Sequence, residues 1–377
     1  MHILHITPAF SDPANGMAAA VREACAGLHA RGVTVTVATV EDAWAALRSA
    51  PPPCRILTAP PSRIPLLRQW QFSPKLHQRI HDAFPTLPDV IHAHGLWLYP
   101  QFLARQLARE WRRPLVLSLH GMLEPWRWRR SAWKKRPLWW LSDHATVGAA
   151  DLLAATSEQE AQNLQARGFR NPVEVIPLGV EVPARRQART SPAAPDGRRT
   201  CLFLSRLHPS KGLRLLITAV ARLRPAGWRF VIAGPDENRH QAELERLADR
   251  LGVRSWLVFA GPVTGDAKWD IYADSDLFVL PSHNENFGLV IAEALACGVP
   301  VITTTETPWS TVVEKGCGWC CPATVTDISR TLGVAMEQPR EILQTMGARG
   351  KEWIAAEFTW TGHAARLIKC YDRLLKQ

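Results

Sequence analysis

Short runs of β-branched and apolar residues recur along the chain, alternating with stretches whose apolar positions repeat every three or four residues. The first pattern fits buried strands and the second amphipathic helices, so the alternation predicts α/β architecture with parallel sheets. In the first half, strands are expected over residues 2–7, 33–40, 89–93, 115–119, 152–156 and 173–176. The second half offers 201–205, 228–233, 256–260, 277–280 and 299–303. Between them, residues 181–197 are rich in Pro, Ala and Arg and have no period, the composition of a linker. The expected organisation is a first domain over 1–180, a linker over 181–198 and a second domain over 199–357. The stretch from Lys351 reads as an amphipathic helix, and its end, about 358–377, is expected to pack back on the first domain.

Residues 277–302 carry the most chemistry. A buried run, Leu277-Phe278-Val279-Leu280, ends at Pro281-Ser282. A polar loop follows, His283-Asn284-Glu285-Asn286-Phe287-Gly288, and then an apolar helix that closes at Cys297-Gly298-Val299-Pro300. Ligands of open α/β sheets bind at the carboxyl ends of strands, and helix starts attract phosphate through free N–H groups. Glu285 in the loop and Glu293 in the helix are placed to grip sugar hydroxyls on either side of a diphosphate. Glu293 lies between Ile291-Ala292 and Ala294-Leu295, and an acid in so apolar a helix needs a specific partner. A ribose hydroxyl is expected there, with a structural hydrogen bond as the alternative.

The second half opens on Phe203-Leu204-Ser205-Arg206-Leu207-His208-Pro209-Ser210-Lys211-Gly212, a strand end with two cations flanking a turn before the next helix. Arg206 and Lys211 suit the negative charge that develops on a pyrophosphate leaving group. Each charge-assisted hydrogen bond contributes about 1.5–3 kcal/mol, against about 0.3–1 kcal/mol for a helix end alone. In the first half, Ser118-Leu119-His120-Gly121-Met122 ends a strand, where His120 is either structural or orients a sugar hydroxyl beside the reacting carbon. Asn15-Gly16 precedes the helix from Ala18, where the backbone can approach phosphate closely. His92-Ala93-His94-Gly95 has metal-like spacing but no apparent third ligand, which favours strand-end packing or acceptor contact. Asp274-Ser275-Asp276 has the Asp-x-Asp form of metal-dependent sites. It precedes the strand, at the end away from the ligand, and is expected to be a helix terminus. No metal is expected.

With 377 residues the chain has room for two domains. No run of eighteen apolar residues is present, and the start, Met1-His2-Ile3-Leu4, lacks the basic opening of an export signal. A cytoplasmic protein, peripheral on the inner face of the membrane, is expected. The eight cysteines do not form a secreted-type framework, and Cys317-Gly318-Trp319-Cys320 reads as a turn without a redox role. Net charge is +11, and residues 101–140 hold ten Lys/Arg against Glu110 and Glu124. There, Trp126, Arg127, Trp128, Arg129, Arg130, Trp133, Lys134 and Lys135 interleave aromatic and cationic side chains. Such a patch suits a membrane interface or an anionic lipid-linked acceptor. A solvated helix with some Trp packed inward is the alternative, and nucleic acid is not expected.

Together these residues resemble the retaining glycosyltransferase family four, whose GT-B fold has two Rossmann-like domains facing each other across a cleft. The likeness covers nearly the whole chain. It is strongest in Ser205-Arg206-Leu207, Lys211-Gly212, Pro281-Ser282, Glu285-Asn286-Phe287-Gly288, Glu293-Ala294 and Gly298-Val299-Pro300-Val301. Weaker matches are Ile91-His92-Ala93-His94-Gly95, His120-Gly121-Met122-Leu123 and Ile176-Pro177-Leu178-Gly179-Val180.

The resemblance implies a UDP- or GDP-linked sugar donor and a glycan or lipid-linked acceptor. It also implies retention of configuration, a place in surface polysaccharide or lipopolysaccharide assembly, and no cofactor. By carry-over, Arg206 and Lys211 hold the diphosphate and Glu285 contacts the donor sugar. Asn286, Phe287, Gly288 and Leu289 cradle sugar and phosphate through backbone groups, Glu293 binds ribose, and His120 sits beside the transferred sugar. The chain departs from the family in its first loop, where Asn15-Gly16-Met17 replaces paired glycines and Gly16 is the expected donor contact. Two rivals stand beside this reading. A sugar-nucleotide epimerase would yield an isomerised sugar nucleotide rather than a lengthened glycan, and a non-catalytic module would only dock on membranes.

Overall fold

The computed structural model describes residues 1–12, 15–41, 54–124, 128, 132–180 and 197–376, the side chains of 132, 134 and 135 excepted. The expected linker, up to residue 196, lies outside the described residues. The chain divides into two compact units, Met1–Gly179 with Trp360–Gln377, and Val180–Thr359.

In the first unit the strands are β1 (His2–Thr7), β2 (Thr34–Thr39), β3 (Arg55–Thr58), β4 (Val90–His94), β5 (Leu115–Ser118), β6 (Leu152–Ala155) and β7 (Val173–Val175). They form one parallel sheet in the order β3-β2-β1-β4-β5-β6-β7. Period-two burial splits them between two cores. Leu4, Ile6, Ile91 and Leu117 join a core closed by the helices Pro74–Ala83 and Tyr99–Trp111. Ile3, Val35, Val90 and Val116 join another, closed by the helices Gly16–His29 and Trp360–Leu374. Each buried Leu, Ile or Val contributes about 1.5–3 kcal/mol over exposure, and a one-residue slip would exchange both faces, so the register is strongly held. On the second face the apolar pattern is broken by His5, His92 and His94, all buried.

The helix Gly16–His29 is capped by Asn15, whose Oδ1 accepts the Met17 and Ala18 N–H groups. It approaches the helix Trp360–Leu374 closely at Gly27, where a Cβ would stand 3.1 Å from the Trp360 carbonyl oxygen. The single helix expected from Lys351 is thus two, Arg340–Glu357 in the second unit and Trp360–Leu374 in the first.

The second unit holds β8 (Arg199–Leu204), β9 (Trp228–Ala233), β10 (Leu257–Gly261), β11 (Leu277–Val279), β12 (Val301–Thr304) and β13 (Gly318–Cys321). All are parallel, in the order β10-β9-β8-β11-β12-β13. The turn expected at Cys317-Gly318-Trp319-Cys320 is instead largely the edge strand β13. Gly318 fits there because a Cβ would lie 2.4 Å from the Val301 carbonyl oxygen of β12. Burial pushes the Cys317 and Cys320 thiols up to about 11, the opposite of an activated dithiol.

In each sheet the strand order reverses beside its first strand, between β1 and β4 and between β8 and β11. Such switch points open a crevice at the carboxyl edge, which is where open α/β sheets take ligands. Among the described residues, no helix is long and apolar enough to cross a membrane.

Candidate functional site

The loops after β8 and β11 meet at the switch point of the second sheet. His208 accepts the Ser210 N–H through Nδ1 at 3.1 Å, which shapes the turn Pro209–Lys211. Gly212 follows at φ +72°, and a Cβ there would fall 1.9 Å from the Pro281 carbonyl oxygen. The Ser210 carbonyl then accepts the His283 N–H at 2.8 Å and the Ser282 hydroxyl at 3.1 Å, stitching the two loops together. Gly212→Ala is therefore expected to cost at least about 2 kcal/mol, combining the left-handed penalty with overpacking. Chemical denaturation measures this, and an unshifted midpoint would contradict so close an approach.

This stitching sets Lys211 Nζ 2.5 Å from Glu285 Oε1, with only 11% and 10% of the two side chains exposed. Glu285 Oε1 also accepts the Ser282 hydroxyl at 3.0 Å, and the Thr304 hydroxyl at the end of β12 donates to the Ser282 carbonyl at 2.6 Å. Beyond Glu285, Asn286 is half-buried, and Phe287 packs edge-on against Trp309, whose indole N–H donates to the Phe287 carbonyl. Gly288, at φ +79°, turns the chain into the helix Leu289–Ala296, which Leu289 opens. Glu293, in that helix, accepts Lys268 Nζ at 2.7 Å and the Tyr272 hydroxyl at 3.0 Å, both from the helix Asp266–Ala273. Arg206 has a partner of its own, with Nη1 2.6 Å from Glu237 Oε2 and both side chains half-exposed.

The structure thus joins Lys211 to Glu285 and gives Arg206 and Glu293 protein partners that the sequence did not reveal. Lys268 and Tyr272 stand four apart, on one helix face, and that spacing was their only signal. Asp276 lies at the amino end of β11, away from these loops, where its carboxylate takes the Thr200 N–H at 2.9 Å and Arg340 at 3.3 Å. The Asp-x-Asp motif is a strand-end brace.

In the first unit, His120 follows β5 with left-handed backbone at φ 51°. Its turn is pinned by Glu160, a buried acid that sequence reading missed. Glu160 accepts the Gly121 N–H at 2.6 Å, the Thr156 N–H at 2.7 Å and the Thr156 hydroxyl at 2.9 Å. Its signal was the capping spacing Ser157-x-x-Glu160, with Ser157 Oγ accepting the Glu160 N–H at 3.2 Å. Gly16 is the first residue of its helix, and among the described residues nothing stands within 4 Å of where a Cβ would be.

Beside His120 runs a file of histidines. His94 Nδ1 is 3.1 Å from His120 Nε2, and His94 Nε2 is 2.9 Å from His5 Nδ1. His92 bridges the Tyr371 hydroxyl at 2.7 Å and the Ser118 hydroxyl at 2.8 Å. His5 is the third imidazole that the His92-Ala93-His94 spacing lacked, within 4.8 Å of both, so the expectation of an isolated pair is corrected. It comes from β1, whose register sets His5 against His92. Burial lowers His5 to about 3 and holds His92 and His94 well below 6.5, so all three are neutral near pH 7. His5 Nε2 is buried without a partner among the described residues, and an orphaned N–H is rarer than an orphaned acceptor. His5 therefore carries its proton on Nδ1, His94 on Nδ1 in turn, and His120 on Nδ1, as a donor.

The basic tryptophan segment is only partly seen. Trp126, Arg127, Arg129 and Arg130 lie outside the described residues, as do the side chains of Lys134 and Lys135. Trp128 is a correction to the expected surface patch. It packs inward against Trp97 and Trp139, with the Arg167 guanidinium 4.6 Å above its ring, because burying the indole removes a large apolar area from water. Trp133 is 74% exposed.

Residues 14–182 fit the family model described as Glycosyltransferase Family 4, and residues 184–353 fit that described as Glycosyl transferases group 1. A D-inositol 3-phosphate glycosyltransferase of Streptomyces bingchenggensis is 31% identical over 318 residues, covering 78% of this chain and 68% of the relative. Sucrose-phosphate synthase from Thermosynechococcus elongatus matches with a TM-score of 0.78 at 20% identity over 100% of both chains. Anabaena Alr3699/HepE, solved with UDP and glucose, matches with a TM-score of 0.77 at 20% identity over 99% of this chain and 100% of its own.

Proposed function

The chain belongs to the glycosyltransferase family that those two models describe, nucleotide-sugar-dependent enzymes of GT-B fold, and we propose that this member moves a hexose from a UDP- or GDP-linked donor with retention of configuration. The acceptor is a glycan or a lipid-linked glycan, in surface polysaccharide or lipopolysaccharide assembly at the cytoplasmic face of a membrane. One observation carries the reading: a nearly buried Lys211–Glu285 pair at the carboxyl edge of the second sheet, ahead of the N-terminus of the helix Leu289–Ala296.

A cation and an acid this close serve two parts of one ligand. Lys211, with Arg206, takes the charge growing on the leaving diphosphate, where charge-assisted hydrogen bonds are at their strongest. Glu285 accepts from hydroxyls of the donor sugar, and backbone groups of Asn286 to Leu289 cradle sugar and phosphate. Glu293, already oriented by Lys268 and Tyr272, takes the ribose hydroxyls. Gly16 offers open backbone to phosphate, and the proton on His120 Nδ1 orients a hydroxyl of the transferred hexose. The leaving phosphate itself takes the acceptor's proton.

A thermal-shift panel of sugar nucleotides tests the donor without knowledge of the acceptor. The right donor at a hundred times its Kd is expected to add about 2.7 kcal/mol of stability. If neither UDP- nor GDP-sugars raise the melting temperature, this donor assignment fails.

A further inference from the structure

A second charged feature lies at the amino end of β5 in the first unit, away from the strand ends that carry His94 and His120. The helix Tyr99–Trp111 ends on Arg112, left-handed at φ 52°, and the chain passes through Arg113 and Pro114 into β5. That course gathers Arg105, Arg109, Arg112 and Arg113 around one pocket of about 400 Å³, with Asp151 the only acid among the described residues that line it. Asp151 is already engaged, its Oδ2 accepting the Leu115 N–H at 2.7 Å. Among the described residues, Arg109, Arg112 and Arg113 have no carboxylate at ion-pair distance, and Arg113 Nε is buried without a hydrogen-bond partner. Like charges gathered this way repel one another, and an anion of more than one charge relieves them.

The pocket's surroundings select among anions. Arg105 Nη1 donates to the Ser142 carbonyl at 3.1 Å, fixing it beside the short π-helix Trp139–Asp143. On that π-helix Trp140 and Leu141 are 77% and 79% exposed. Large apolar side chains left in water beside cations without carboxylate partners match the interfacial zone of a bilayer, where Trp sits at headgroup level and Arg meets phosphate. A free phosphate compound would give Trp140 and Leu141 nothing to bury against.

We propose that this face docks on anionic phospholipid headgroups, with Arg109, Arg112 and Arg113 taking lipid phosphates while Trp140 and Leu141 enter the headgroup layer. The site uses none of the donor-binding residues and stands whether or not the chain transfers a hexose.

The test is co-sedimentation of the full chain with vesicles of phosphatidylcholine alone or mixed with phosphatidylglycerol, at several salt concentrations. Binding to the anionic vesicles alone, weakening as salt rises, is expected. Each surface arginine is worth about fivefold in partitioning, so R109Q/R112Q/R113Q should bind on the order of 100-fold more weakly. W140S/L141S, which changes only exposed side chains, should weaken binding about tenfold while leaving the salt dependence as it is. Both variants should keep the wild-type thermal shift with sugar nucleotide, which separates failure of docking from failure of donor binding. The proposal is overturned by equal binding to neutral and anionic vesicles, by wild-type vesicle binding in either folded variant, or by inorganic phosphate binding with no vesicle binding.

Discussion

Lys211→Ala is expected to lower kcat/KM for sugar transfer by two to three orders of magnitude, and Glu285→Gln by a similar factor. Removing one preorganised donor aimed at developing charge costs about 10²–10³ in rate, and Lys211 is both charged and nearly buried. The two variants differ in what they do to the fold. Lys211→Ala leaves Glu285 buried without its cation, a change that typically destabilises by about 3–5 kcal/mol. Glu285→Gln also strips a nearly buried charge, the Lys211 ammonium, of its counter-ion, but it keeps a hydrogen-bonding partner for both Ser282 and Lys211, so it should be destabilised less than Lys211→Ala. The combined Lys211→Met and Glu285→Gln variant removes both charges at once and should recover stability without recovering activity. That split of stability from turnover is the diagnostic result. Wild-type turnover in any of the three, measured as UDP or GDP release with acceptor, would remove the pair from the donor site.

The legible part of this molecule is the part whose signals are local. β8, β11 and the loops after them could be read because strand, turn and helix start occur within a dozen residues, each marked by its own residue types. β13 could not, because Gly318-Trp319-Cys320-Cys321 lacks β-branched residues, and its glycine answers to the Val301 carbonyl on a neighbouring strand. β3 escaped for a related reason: Arg55–Thr58 is only partly buried at the sheet edge and shows no clean alternation. Charged residues divide the same way. Lys211 and Glu285 could be placed in the same site by motif, whereas the links from Glu293 to Lys268 and from Arg206 to Glu237 depend on how helices and loops pack across tens of residues. His5 illustrates the limit most clearly. Nothing near it in sequence marks it as polar machinery, and only the β1–β4 register brings it to His92 and His94.

That register has a measurable consequence in acid. Desolvation lowers His5 to about 3 and His363 to about 4, and drives His92 and His94 well below 6.5, with neighbouring imidazoles adding repulsion for His92 and His94. Among groups facing this file, the Pro177 carbonyl opposes the shift by accepting from His363, and Arg366 reinforces it. The unfolded chain takes up protons on these rings as pH falls through 6.5, while in the folded chain His363 refuses its proton until about 4, His5 until about 3, and His92 and His94 until well below 6.5. The stabilisation is therefore complete above pH 6.5 and is lost as pH drops toward the folded values. Four rings acting together set a ceiling of about 5 kcal/mol lost per pH unit near pH 5, against a typical total of about 5–15 kcal/mol. The first unit should accordingly melt at a lower temperature at pH 5 than at pH 7.5, followed by circular dichroism. Replacing His5 with Asn removes one of the four protons, so the dependence of stability on pH should flatten by about a quarter. A melting temperature unchanged between pH 7.5 and pH 5 would mean that these imidazoles are solvated, and the proton order assigned along His5, His94 and His120 would fall with it.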